Sequence, residues 1–150
     1  MQRALSAARQ ASAEGHVPIG AVLELDGVYR YSHANQSGHS DQPLAHAELL
    51  LLQAASQSLG QSDFRRSILY VTLEPCPMCL GAMLHCHLGT LVFGAYNLKW
   101  GACGTVQDLS AAFPAESLQC WGGVEELACA ALLQGFFGRL RQGPSAEDQG

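Results

Sequence analysis

The chain has 150 residues, 48% of them hydrophobic and 14% charged, a composition that supports one globular core and excludes a disordered protein. Eight basic residues against 13 acidic ones leave a net charge of −5. That excludes a protein that grips nucleic acid over its whole surface, but not one with a local basic patch.

The opening stretch, MQRALSAARQASAEGH, places small, basic and polar residues at helical spacing. It lacks the apolar centre and cleavage site of a signal peptide, so a mature, cytoplasmic N-terminus is expected. Residues 2–14 form an Ala-rich helix closed by Gly15. IGAVLELDGVYRYSHAN then reads as a β-hairpin turning at Asp26-Gly27. A loop containing Ser, Gly, Asp and Pro (36–43) leads to a second helix in AHAELLLLQAASQS. SILYVTL is a short apolar strand of the kind buried in a sheet. It runs straight into EPCPMC, where Pro77 suits the first turn of a third helix that continues to about residue 85. TLVFGA is a further strand, followed by a glycine-rich loop over 96–105. LQCWG is a last short strand, and residues 125–140 form the final helix. QGPSAEDQG (142–150) is polar and expected to fray, which leaves a single domain over 1–141. No apolar run reaches the roughly 18–20 residues of a membrane span, so no membrane partner is expected. Alternating strands and helices imply an α/β sandwich with partly parallel strands and helices on both faces.

The six cysteines are Cys76, Cys79, Cys86, Cys103, Cys120 and Cys129. Without an export signal they are expected as thiols or metal ligands rather than disulfides. Two of them lie in Pro75-Cys76-Pro77-Met78-Cys79, and His46-Ala47-Glu48 lies upstream. Two thiolates two residues apart and one imidazole supply three zinc ligands, His46, Cys76 and Cys79. Both groups fall at expected helix starts, where the helix dipole and free backbone N–H groups favour a thiolate. Three protein ligands leave a position for water, whereas a structural zinc is closed by four. His85 and Cys86 stand nearly two turns from Cys79, about 10 Å along the helix axis. Cys103 remains open as a fourth ligand. Glu48, two residues after a ligand, is placed to take a proton from water and deliver it to a substrate nitrogen. H-x-E followed by P-C-x-x-C is the signature of zinc deaminases, with the Glu as acid and base.

With these motifs the chain resembles the cytidine deaminase superfamily and, within it, the bacterial tRNA adenosine deaminases. The resemblance also runs through VPIGAVL at 17–23, Asn35, LYVTLEPCPMCLGAM at 69–83, LVFGA at 91–95, the K-x-G-A-x-G-T stretch at 99–105 and LLQGFFGRLR at 132–141. It implies a three-layer sandwich with a mixed, mostly five-stranded sheet flanked by helices. It also implies one zinc per chain, a homodimer, and conversion of adenosine to inosine at the wobble position of a tRNA anticodon loop. Glu48 would protonate the purine and its departing amino group. The Ala47 N–H and the Pro75 backbone would contact the reacting edge, and Asn35 the purine, although an Asn after a strand also serves as a local loop cap. One of Phe136 and Phe137 belongs to the core; the other, Phe137 in this reading, would stack in the RNA loop.

Two departures bear on the substrate. The related tRNA enzymes commonly carry Arg-Asp after LVFGA, where this chain has Tyr96-Asn97-Leu98-Lys99-Trp100. Asn97 thus replaces a carboxylate that in those enzymes touches the substrate backbone or ribose, and an amide repels phosphate less. The final helix carries only Arg139 and Arg141 where relatives have a denser basic run. Lys99, Arg139 and Arg141 are the expected RNA-facing cations, with Arg3 and Arg9 behind them. A deaminase of a free nucleobase or nucleoside is the alternative reading, and a zinc module without activity the third.

Overall fold

In the computed structural model, which describes residues 1–37, 42–113 and 118–142, the chain runs as ten elements. They are α1 (Gln2–Ala13), β1 (Gly20–Leu25), β2 (Val28–Ala34), α2 (Ala47–Leu59), β3 (Ser67–Leu73), α3 (Pro77–His85), β4 (Thr90–Ala95), α4 (Leu109–Ala112), β5 (Gln119–Trp121) and α5 (Glu126–Gln142). The strands form one sheet in the order β2-β1-β3-β4-β5. β1 is antiparallel to both β2 and β3, whereas β3, β4 and β5 run parallel. The sheet is therefore mixed and five-stranded, as the resemblance implied. The β1–β2 connection is the two-residue turn expected at Asp26-Gly27, both with positive φ (53° and 76°), as such a turn demands. Parallel neighbours need a crossover, and α3 supplies it between β3 and β4.

The pleat sorts side chains onto two faces. Ala21, Leu23, Leu69, Val71, Leu91 and Phe93 pack against Leu51, Leu52 and Ala55 of α2 and Leu80 and Met83 of α3 in the main core. Each large side chain buried there contributes about 1.5–3 kcal/mol. Opposite, α1 and α5 pack with a smaller cluster around Leu5, Ala95 and Cys129. α1 can approach because its inner face is almost all alanine and because β1 begins with glycine. A Cβ at Gly20 would stand 2.5 Å from the Ala8 amide nitrogen and closer still to the Ala4 carbonyl oxygen.

The structure differs from the sequence reading at three places. α2 starts at Ala47 because His46 is its N-cap, in extended backbone (φ −75°, ψ 143°). The one-turn α4 has no counterpart among the expected elements. It follows Asp108, whose side chain accepts from the Ala111 N–H at 3.0 Å, and one turn is too short to show a period. α5 continues to Gln142; the rest of the expected tail lies outside the described residues, as do residues 38–41 of the loop before α2. No helix among the described residues is long and apolar enough to cross a membrane.

Candidate active site

Two helix starts meet here. His46 caps α2 and Cys76 caps α3, where Pro77 takes the first helical position. At an N-cap the side chain ordinarily accepts from the first-turn amides. Neither His46 nor Cys76 does so, and both side chains turn toward each other instead. The His46 Nδ1 lies 3.7 Å from the Cys76 Sγ and 3.4 Å from the Cys79 Sγ. All three donor atoms fall within 4.8 Å of one another. A tetrahedral zinc with bonds of about 2.3 Å to sulfur and 2.0–2.1 Å to nitrogen holds such atoms about 3.6 Å apart, so the donor set and its spacing fit that ion.

Electrostatics divide the labour between the thiols. The Cys79 thiol, hydrogen-bonded to Cys76, pulls the Cys76 thiol down to about 4, with His46 adding to the effect. The same bond, with burial, pushes Cys79 up, and the Cys76 sulfur raises His46. The trio thus favours a thiolate at Cys76, which is the form that binds a cation. Cys103, the fourth candidate, is not among the ligand group; its thiol meets Cys120 instead.

Glu48 is 4% exposed and sits in the first turn of α2. Burial pushes its carboxyl up to about 7, against the pull of its own backbone N–H, of His46 and of the Cys79 thiol. A buried carboxyl beside this trio is a candidate to accept and return protons.

The other expected site residues are placed as follows. Ala47 is fully buried at the start of α2. The Pro75 carbonyl accepts from the Ala102 N–H at 3.0 Å, which ties the glycine-rich loop to the turn that carries Cys76. Asn35 is 1% exposed, and its Nδ2 donates to the carbonyls of Val17 (3.3 Å) and Ser37 (3.1 Å), a local loop cap. Asn97 also works inward. Its Oδ1 accepts from the Lys99 and Trp100 N–H groups at 3.2 and 3.0 Å, and its Nδ2 donates to the Glu74 carbonyl at 3.4 Å. Leu98 and Trp100 in this loop are 85% and 57% exposed. Phe136 is buried and Phe137 exposed, their rings edge to face at 5.4 Å, as the sequence suggested of one and the other. Arg139 reaches back to the Ser12 hydroxyl of α1 (3.2 Å), and Arg141 is exposed.

Sequence reasoning assigned no role to Glu74, the buried residue just before Pro75. A lone acidic residue closing an apolar strand was the available signal.

The model of the MafB19-like deaminase family matches residues 1–141. The chain belongs to this deaminase family. As a deaminase it is 38% identical over 144 residues to the tRNA-specific adenosine deaminase of Bacillus subtilis, covering 95% of this chain and 89% of that one. It is also 42% identical over 143 residues to the tRNA(Ile)-lysidine synthase of Deinococcus radiodurans, of which it spans only 25%. Among solved structures, one from work on A-to-I editing by tRNA:A34 deaminases superposes with a TM-score of 0.80 at 34% identity, covering 89% of this chain and 97% of the other. A guanine deaminase from Nitrosomonas europaea reaches a TM-score of 0.78 over 92% and 82% of the two chains, but at 22% identity that likeness concerns the fold. The deaminase family implies a hydrolytic enzyme, and the His-Cys-Cys group is compatible with zinc.

Proposed function

We propose that this protein is a zinc-dependent enzyme that deaminates adenosine to inosine at the wobble position of a tRNA anticodon loop. The observation that carries the reading is the buried Glu48 carboxyl packed against the His46–Cys76–Cys79 trio, in a chain 38% identical to a tRNA-specific adenosine deaminase.

His46, Cys76 and Cys79 would hold the zinc, which when bound would supply a water acidic enough to act as nucleophile near neutral pH. The protein's own part is to move protons. Glu48 takes the proton of the attacking water and passes it to N1 of adenine as oxygen adds at C6. It then takes the proton of the hydroxyl added at C6 and gives it to the departing amino group as the C6–N bond breaks, so that water and adenosine become inosine and ammonia. The buried Glu48 carboxyl would serve both directions, accepting the proton and giving it back. The target base has to leave its stack, which costs little in a single-stranded loop. Exposed Trp100 and Phe137 offer aromatic faces to unstacked bases, and Lys99, Arg139 and Arg141 offer charge to phosphates. The backbone of Ala47 and Pro75 would contact the base in this reading, and Asn35 would reach the purine only by giving up its bonds to Val17 and Ser37.

The reading brings a cytoplasmic place of work and a homodimer.

The test incubates zinc-loaded protein with an anticodon stem-loop carrying A at the wobble position and, in parallel, with free adenosine, adenine, guanine, cytidine and cytosine. Inosine is expected in the stem-loop alone. Turnover of a free compound with the RNA untouched would replace this reading by that of a nucleobase or nucleoside deaminase.

A further inference from the structure

Glu74 is 1% exposed, and no lysine or arginine among the described residues pairs with it. Its carboxylate is satisfied entirely by one stretch of chain more than twenty residues downstream. Oε1 accepts from the backbone N–H groups of Cys103 (3.0 Å) and Thr105 (3.2 Å). Oε2 accepts from the Asn97 N–H (3.1 Å) and from the Thr105 hydroxyl. The Glu74 carbonyl takes the Asn97 amide as well. Gly101 lies directly over this carboxylate; a Cβ there would fall 2.5 Å from Oε2 and 2.6 Å from Cδ. The residue at 101 must therefore lack a side chain for the loop to close on Glu74.

A buried carboxylate without donors is very costly, and one whose donors all come from a single loop fixes the shape of that loop. The loop is 97–105, which carries Asn97, Lys99 and Trp100. Its anchor lies two residues before Cys76, and the intervening Pro75 carbonyl holds Ala102. The segment that bears a metal ligand and the segment that bears the exposed cation and aromatic ring are thus joined through one side chain.

We propose that Glu74 is the positioning residue of the substrate-binding loop. It holds 97–105 against the turn that carries Cys76, so that Lys99 and Trp100 stand ready for RNA before it arrives. The proposal rests on the function proposed above. Preorganisation of this kind acts on substrate capture rather than on the proton steps at Glu48.

The experiment compares the zinc-loaded wild type with Glu74→Gln and Thr105→Val, the second removing one hydroxyl donor from an exposed position. Zinc content, anticodon stem-loop KM and kcat, and hydrogen exchange at the Cys103 and Thr105 amides are measured. Expected for Glu74→Gln are full zinc content, faster exchange at both amides, a KM raised about tenfold and kcat within about threefold. Thr105→Val should shift KM the same way by about threefold, and it decides the matter if Glu74→Gln fails to fold. Unchanged KM and unchanged exchange overturn the proposal. So does a fall in kcat with loss of zinc at constant KM, which would make Glu74 a support of the metal ligands only. A stem-loop left unprocessed by the wild type overturns the parent reading, and with it the assignment of this loop to RNA. Faster exchange in Glu74→Gln would in that case still support the anchoring of the loop by Glu74.

Discussion

Glu48 sits at the junction of burial and metal chemistry. Replacing it with glutamine keeps the volume and removes the proton acceptor. Glu48→Gln is expected to lower inosine formation at least about 100-fold, the lower end for general acid–base groups, with zinc content unchanged by atomic absorption. A variant that keeps the wild-type rate would remove Glu48 from the proton path. The clustering of His46, Cys76 and Cys79 with Glu48 beside them was legible in the sequence because all four stand in short spacings at helix starts. Glu74 was not, since every donor to its side chain lies 23–31 residues away and reaches it only once the loop has folded back. Asn97 was legible as a departure in charge but not as a turn-former, because its hydrogen bonds depend on the backbone of Lys99 and Trp100.

At the scale of elements, strand and helix identity followed from period and punctuation. Asp26-Gly27 marks the hairpin, Pro77 opens α3, and Gly60 closes α2 in left-handed geometry. Close approach between elements left a fainter trace. Gly20 reads as an ordinary strand glycine until α1 is seen lying on it. Gly20→Ala should destabilise the fold by about 1–3 kcal/mol, as overpacking against backbone does, seen as a lower urea midpoint; an unchanged midpoint would mean that α1 yields freely. Tyr70 links β3 to β1 through Glu24 at 3.0 Å. Burial, with that hydrogen bond second, pushes its hydroxyl up to about 12 from 10. Between those pH values the unfolded chain has released a proton that the folded chain keeps. The contribution of Tyr70 is therefore complete below pH 10 and declines as pH rises toward 12. Tyr70→Phe should show a smaller alkaline fall in unfolding temperature by circular dichroism, and an identical fall would discard this contribution.

Across the whole molecule, the acidic balance limits how RNA can be held. If Lys99, Arg139 and Arg141 carry the phosphate contacts, three charges give a slope of about −2 for log K against log salt on single-stranded RNA. A slope of about −3.5, measured by fluorescence anisotropy, would mean that Arg3 and Arg9 join the interface. Composition alone sets this limit. The arrangement of the cations is not written there, because α5 and the 97–105 loop are far apart in the chain.

The meeting of two helix caps also bears on how long the protein lasts. The donor atoms lie 30 and 33 residues apart in sequence, and one half of the group travels with α2, the other with α3. An ion bound there ties the two halves into a closed ring of chain, and it binds the folded form far better than the open one. Each tenfold rise in free zinc above the dissociation constant should then add about 1.4 kcal/mol to stability. Treatment with a chelator should lower the calorimetric unfolding temperature, and zinc should restore it in a graded way; a temperature indifferent to zinc would break the link. Through that ring, a shortage of zinc would leave the protein less stable and more open to proteolysis.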